Sequence, residues 1–509
     1  MSHLPVLPIL LPLLAGALLV LMARAPIGLR RLVGLSASAL QLVLALWLLR
    51  QAAGGEVAVY LLGNWPTWAG IVLVADRLAA LMLVLAAALA LVAQLHALGG
   101  IDRRGAHFHA LFQFQVMGLS GAFLTGDLFN LFVFFEVLLI SSYGLLLHGD
   151  GRLRIKRSLH YVSFNLVASA LFLIAVAVIY GTLGTVNMAD LAAKVAAADP
   201  ADAALVRSGG LILLCVFTAK AALLPLYLWL PSAYAVASAP VAALFAIMTK
   251  VGVYAVVRVH TVVFGPEAGF AADLAWPWLL PAGAATLVLG ALGALAATGL
   301  RRLVGYLVVA SAGTLFIAIG AAGTKALSAA LYYLVHSTIA ASALFLLADR
   351  IRHARGSAGD SLRTTSAIAG RGALGLAFLA AAMVVAGLPP WSGFLAKAMI
   401  LDAVAQRPDA AWLWGVVLAS ALLVIVALAR AGSHLFWREP ADAVAPSSAP
   451  RRGERLAGGL LLAALAALAV FASPVVDYTR ATAEQLRSPS TWIARVQAET
   501  PVQRTTETP

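Results

Sequence analysis

Long apolar runs recur from one end of this chain to the other, and no other feature constrains its fold as much. Each run approaches or exceeds the ~20 residues that an α-helix needs to cross a bilayer. Such runs fall at 4–22, 32–49, 71–95, 107–125, 127–148, 159–181, 208–231, 240–263, 276–297, 302–321, 327–349, 371–404, 412–435 and 456–473, or about 14 spans. Across the 509 residues 62% are hydrophobic and only 11% charged, too little polar surface for a soluble domain of this size. The runs lack the alternation of polar and apolar residues that a membrane β-strand shows, so the fold class is an all-α polytopic membrane protein. The first run, "LPVLPILLPLLAGALLVLM", has no basic residue ahead of it and Arg24 just after it. A cleaved signal has the opposite order, so this run reads as a retained span.

The formal net charge is +13. Its placement argues for topology and against nucleic-acid binding. The loops that alternate along the chain hold Arg24, Arg30 and Arg31; Arg103 and Arg104; Arg152, Arg154, Lys156 and Arg157; Arg301 and Arg302; Arg350 to Arg371; and Arg430 to Arg455. By the positive-inside rule these loops are cytoplasmic, and an even number of spans leaves both termini on the periplasmic side. The single cysteine, Cys215, rules out an internal disulfide and a thiolate cluster.

Two spans are interrupted. The seventh reads "VFTAKAALLPLYLWLP" (216–231), with Lys220 followed by Pro225; the twelfth contains "AGLPPWSGFLAKAM", with Pro389 and Pro390 ahead of Lys397. Paired broken segments in two parts of a transporter point to internal repeats and an ion site. Grouping spans four to eight and nine to thirteen gives two five-helix units, and an odd count inverts the second relative to the first. The chain then divides into 1–106 (three N-terminal spans), 107–263 (first repeat), 276–435 (second repeat), 456–473 (last span) and 474–509, a polar, peripheral or disordered tail. The polar stretches 350–370 and 438–455 read as cytoplasmic linkers.

Few ionisable residues fall at mid-span: Glu136, Lys220, Lys250, His336 and Lys397. Each sits in a different span, and a charge there costs about 3 kcal/mol on insertion scales. One alone reads equally as a structural ion pair; five together point to proton transfer. An ammonium held in low dielectric releases its proton more readily, and a nearby carboxylate holds it in place. Movement of Glu136 relative to Lys220 would therefore switch that lysine between holding and releasing a proton. Histidine titrates near neutrality unaided. Pro225 frees an upstream carbonyl, which places the break beside a hydrated cavity; a packed kink reads equally well. Ser311, Thr314, Ser337 and Thr338 read first as packing residues and second as holders of bridging water. Arg258 reads as snorkelling to the outer interface, and Asp127 as a helix-end residue. No cofactor or metal is expected. The remaining histidines sit mostly at span ends or in loops, which does not suit haem, and no glycine-rich phosphate loop precedes a helix.

"TGDLFNLFVFFEVLLISSYGLLLHG" (125–149), "FTAKAALLPLYLWLPSAYAVASAPVAALFAIMTKVGVYAVVR" (217–258) and "GLPPWSGFLAKAMI" (387–400) resemble the proton-translocating subunits shared by Mrp-type (Mnh, Pha) cation/proton antiporters and respiratory complex I, nearest to the D-subunit branch of the antiporters. The resemblance covers most of 70–435. It implies about 14 helices with two inverted five-helix repeats and broken seventh and twelfth helices. It also implies a Glu136–Lys220 coupling pair and a relay through Lys250, His336 and Lys397. The partners it implies are other membrane subunits, protons and Na⁺ or K⁺ in a bacterial inner membrane, with no enzymatic chemistry in this chain. The alternative is an N-type proton-pumping subunit of a quinone oxidoreductase or membrane hydrogenase.

Overall fold

The computed structural model describes residues 3–149, 151–363, 368, 371–437 and 452–501. Its helices in chain order are α1 (Leu7–Leu21), α2 (Ile27–Ala53), α3 (Arg77–Ala97), α4 (Phe108–Leu124), α5 (Leu128–Leu147), α6 (Arg152–Leu183), α7 (Met188–Ala196), α8 (Ala203–Lys220), α9 (Trp229–Val236), α10 (Ala239–Phe245) and α11 (Met248–Val262). They continue with α12 (Trp276–Ala296), α13 (Leu300–Gly320), α14 (Thr324–Ala354), α15 (Arg371–Ala386), α16 (Ser392–Val404), α17 (Ala410–Gly432), α18 (Arg452–Val470), α19 (Ala472–Arg487) and α20 (Ser490–Gln497). Among the described residues twelve helical stretches are long and apolar enough to cross a membrane, while α4 and α15 are shorter apolar helices. This is an all-α polytopic membrane fold. Part of the basic linker sequence, 364–367, 369–370 and 438–451, including Arg438 and Arg451, lies outside the described residues.

Burial sorts the bundle. The apolar windows of α10–α11, α13 and α14 are 100%, 94% and 89% buried, whereas those of α6 and α17 are 39% and 33%. The first group forms the centre, and it carries Lys250, Ser311 and His336. The second group presents residues such as Val167, Ile174 and Leu422 outward, as lipid-facing helices do.

The basic loops meet on one face. Arg31, at the start of α2, pairs with Asp102 between α3 and α4 (2.6 Å). His148, after α5, bonds the Ile101 carbonyl (2.9 Å), and Arg154 on α6 donates to the Val236 carbonyl (3.1 Å). Arg301 bridges Asp360 and the Ala237 carbonyl, and Arg430 donates to the Leu295 and Ala297 carbonyls. These contacts link successive loops in series along that face.

Several boundaries differ from the sequence reading, each for a local reason. Residues 72–75 are a strand (β2, Val72–Ala75) paired antiparallel with β1 (Ala58–Leu61), so the apolar run from 71 is not all helix. Asp76 ends it by capping α3, its carboxylate accepting from the Ala79 N–H at 2.9 Å. The sixth helix starts at Arg152, so its basic cluster is helical. The segment 188–196 forms α7, capped by Asn187. Of the two readings of the tail, peripheral or disordered, the first holds over 474–497: α19 and α20 pack on the bundle with Thr479, Thr482, Leu486 and Trp492 buried.

Both interruptions are real breaks. Helix α8 stops at Lys220 and α9 begins at Trp229; α15 stops at Ala386 and α16 begins at Ser392. Each break contains a cis prolyl bond, Leu224–Pro225 and Pro389–Pro390.

Candidate functional site

At the first break, two side chains bond the backbone. The Trp229 indole N–H donates to the Ala219 carbonyl (3.2 Å), and the Leu224 N–H donates to the Thr286 hydroxyl of α12 (2.9 Å). Within the break the Ala219 carbonyl also accepts from the Ala222 N–H at 3.1 Å. An unsatisfied amide group in hydrocarbon costs several kcal/mol, and the Thr286 hydroxyl removes that cost for the Leu224 N–H.

Lys220 ends α8 with 4% of its surface exposed. Its ammonium lies 3.4 Å from Ser169 Oγ of α6 and 4.9 Å from the centre of the Phe135 ring, a cation–π distance. Glu136 follows Phe135 on α5, with a buried Oε1 that has no protein hydrogen-bond partner. Among the described residues no ion pair within 4.0 Å joins Glu136 to Lys220. The aromatic ring and the serine hydroxyl hold the ammonium here, and the carboxylate stands apart.

Lys250, on α11, is fully buried. Its ammonium donates to Ser311 Oγ of α13 at 2.9 Å, and that hydroxyl donates onward to the Val308 carbonyl at 2.7 Å. His336, on α14, is also buried, with Nδ1 3.0 Å from Ser392 Oγ at the start of α16. A glycine is required beside it. A Cβ on Gly393 would lie 2.1 Å from the Val384 carbonyl oxygen and 3.0 Å from the His336 ring, so α16 could not approach α15 this closely with any side chain there.

Lys397 reaches back across the second break. Its ammonium donates to the Ala386 carbonyl at 2.8 Å and lies 3.5 Å from that of Val385. These are terminal carbonyls of α15, and a cation there also meets the negative end of the helix dipole. The two broken spans therefore differ: a threonine hydroxyl meets a free N–H in one, and a lysine covers two terminal carbonyls in the other.

A cavity joins two of these groups. Lys397, Ser311, Thr314, Tyr333 and Ser420 supply its polar lining, together with apolar side chains such as Val385 and Leu307. It offers about 30 Å³ to water centres, room for about two molecules. Ser420 Oγ is buried with no protein partner, as a group facing water would be. Ser311 is both the partner of Lys250 and a wall of the space before Lys397. Thr314 shares that wall. Ser337 and Thr338 instead donate to the Leu334 carbonyl of their own helix and serve packing. The structure thus brings together Lys250 and Lys397 through Ser311, with His336 on Ser392 beside them. Lys220 and Glu136 sit in a separate group among α5, α6 and α8.

Sequence reading did not single out Ser169, Ser392, Phe135, Tyr333 or Ser420. Serine and aromatic residues are too common in membrane helices to stand out. Arg258 is a correction. It does not snorkel: it is 2% exposed and forms a bidentate pair with Asp76, at 2.6 and 2.7 Å. Tyr254 on one side and the Trp492 ring of α20 on the other complete its surroundings.

Comparison with known proteins places this geometry. A family profile described as NADH:quinone oxidoreductase/Mrp antiporter, TM, matches residues 125–425. The chain is 43% identical to a probable K⁺/H⁺ antiporter D subunit of Rhizobium meliloti (strain 1021), over 97% of this chain and 98% of that one. It is 35% identical to the Na⁺/H⁺ antiporter D subunit of Bacillus subtilis (strain 168), over 98% and 100%. Among solved structures, a chain of the Mrp complex from Dietzia sp. DQ12-45-1b superposes with a TM-score of 0.87 at 28% identity, covering 98% of this chain and all of that one. The profile match spans both interrupted helices together with Glu136, Lys220, Lys250, His336 and Lys397, so this chain belongs to the NADH:quinone oxidoreductase/Mrp antiporter transmembrane family.

Proposed function

We propose that this chain is the proton-conducting subunit of a multi-subunit antiporter that exports Na⁺ or K⁺ in exchange for protons across a bacterial inner membrane. The observation that carries the reading is the line Lys250–Ser311–cavity–Lys397 at the centre of the bundle. Two ammonium groups, a hydroxyl able to accept and donate, and room for water are the components of a proton path. Lys220 and Glu136 form a second station, in which approach of the carboxylate would hold the proton on the lysine and withdrawal would release it. His336 lies beside the path and exchanges protons through Ser392. Full-length similarity to antiporter D subunits supports the antiporter over a redox-driven pump.

In the same reading the chain is a transporter component with no catalytic chemistry of its own. Residues 107–263 and 276–435 form two inverted units between the N-terminal spans and the last span, and both termini face the periplasm. The other membrane subunits of the complex carry the cation.

The test is antiport in inverted vesicles containing the whole complex, read with a pH-sensitive dye as Na⁺ or K⁺ is added. Cation-dependent dye recovery that disappears in an assembled Lys220→Ala complex is expected. Recovery undiminished in that variant overturns the role of Lys220. Its absence in wild type, with quinone-linked acidification instead, would transfer the chain to the redox-driven class.

A further inference from the structure

The N-terminal helices α2, α3 and α4 enclose a polar column that the relay above does not use. It starts at the basic face, where Asp102, fully buried, accepts from Arg31 and lies 3.2 Å from His109 Nε2. It continues through Ser38, which Gln94 and Gln113 both contact through their Nε2 atoms at 3.0 and 3.2 Å. One turn further along α2, the Gln41 amide donates to the Pro8 carbonyl and to Ser120 Oγ, at 3.0 and 2.9 Å. From Ser120 the next turn of α4 reaches Phe123, whose carbonyl accepts from the Tyr254 hydroxyl at 2.7 Å. Tyr254 lies four residues from Lys250 on α11, hence on the same face of that helix. At 1.5 Å per residue the column follows α4 for about 21 Å from His109 to Phe123, most of the ~30 Å hydrocarbon thickness.

The column has acceptors to spare. Oε1 of Gln41, Gln94 and Gln113 and Nδ1 of His109 are buried with no protein hydrogen-bond partner. For Gln41 and Gln113 the amide orientation is dictated by chemistry. Each Nε2 faces a main-chain carbonyl, of Pro8 and Gly34, and an amide oxygen in its place would set two acceptors against each other. The free oxygens are therefore genuine acceptors, and they call for a small molecule that donates. Gly34 lets α2 come close to two of these atoms. A Cβ there would lie 3.0 Å from His109 Nδ1 and 3.1 Å from Gln94 Oε1, so a larger side chain would crowd both.

We propose that this column binds a file of water molecules and carries protons between the Asp102–His109 mouth and the Tyr254–Lys250 helix, as a lateral feed to the central lysines. Water is the ligand that fits, because it donates to the free amide oxygens and accepts from the serine hydroxyls, and because the acceptors are strung along a helix instead of gathered in one coordination sphere. A dehydrated cation would need them gathered. The feed rests on the proton-conducting reading above; the water site does not.

The experiment uses the whole complex. Radiolytic hydroxyl-radical footprinting in ¹⁸O-labelled water reads hydration, and vesicle antiport reads conduction. Rapid ¹⁸O labelling of the 107–121 segment in wild type, reduced by Gly34→Val, is expected. Gln41→Leu and Gln113→Leu, which keep volume and remove the acceptors, should each slow antiport about tenfold with the complex assembled, equivalent to ~1.4 kcal/mol in the barrier. Gln113→His, which keeps a polar side chain there, should recover part of the rate. An unlabelled segment 107–121 means the column is dry and overturns the proposal. Labelling with unchanged antiport in both leucine variants overturns the feed. Failure of wild-type antiport falls on the function reading alone, since the labelling is measured independently.

Discussion

The three central lysines are held by neutral groups: Lys220 by a ring and a hydroxyl, Lys250 by a hydroxyl, and Lys397 by helix-terminal carbonyls. A carboxylate in direct contact would anchor a proton, whereas a hydroxyl or a carbonyl lets it leave, so the absence of a tight acid partner is what transfer requires. Ser311→Ala removes a hydrogen bond to a charged group, a loss of about 1.5–3 kcal/mol. If the protonated Lys250 lies on the rate-limiting path, antiport should fall roughly tenfold to a hundredfold, with assembly intact, as checked by dye recovery and native gel. The Asp76–Arg258 pair contrasts with these lysines. It is bidentate and buried, and Asp76→Asn strands the guanidinium at a cost of about 3–5 kcal/mol. Thermal unfolding of the purified complex should show that loss, and the double variant Asp76→Asn/Arg258→Met should recover part of it because no charge is left unpaired.

At the level of elements, the interrupted helices show how a membrane protein tolerates broken backbone. In the break after α8, Trp229 and Thr286 each bond the backbone. Thr286→Val keeps shape and removes the acceptor for the Leu224 N–H. The penalty for an unsatisfied buried donor is about 1–3 kcal/mol, which should appear as a lowered melting temperature with the variant still folded. The break after α15 is covered by Lys397 at the Ala386 carbonyl, so charge and local structure are linked there. When Lys397 gives up its proton the attraction to the α15 terminus weakens. Lys397→Met should therefore loosen this break as well as slow transport, and hydrogen exchange at residues 387–392 should rise in the variant.

For the whole molecule, the linked loops on the basic face and the α19–α20 cover at the opposite end clamp the bundle. Asp102 is the centre of one of those links. Burial alone would raise its pKa, but the hydrogen bonds from Arg31 and His109 outweigh this and hold the carboxyl well below the usual carboxylate range. A depressed folded-state pKa contributes stability above the unfolded value of ~3.9, and the contribution fades as pH falls below it. The melting-temperature difference between wild type and Asp102→Asn should thus stay constant from pH 8 to about 5 and shrink below about 4. At the other end, Trp492 packs on Arg258 and Tyr478 donates to the Arg77 carbonyl. Trp492→Ala should destabilise the complex by about 3–5 kcal/mol through the cavity it leaves, measurable as a lower melting temperature.

The sequence by itself determined the fold class, the two interrupted spans and the presence of ionisable residues inside apolar spans. Those properties follow from composition and from local chain chemistry: an apolar run long enough to span, a proline that cannot continue a helix, a charge where charge is costly. The alternating basic loops were legible for the same reason, and the structure gathers them on one face. Local pattern could not supply partners. Ser311 is 61 residues from Lys250 and Ser169 is 51 from Lys220, so only helix packing decides that they meet. The same holds for Asp76 and Arg258, 182 residues apart, where the arginine looked interfacial and the aspartate did not stand out. The strand at 72–75 was hidden because a short apolar run is compatible with either helix or strand until its pairing partner is known. The tail read as either peripheral or disordered because an amphipathic helix shows its apolar face only when there is a surface for it to cover. In each case the deciding interaction is between residues distant in sequence, and its free energy exists only once the helices have packed.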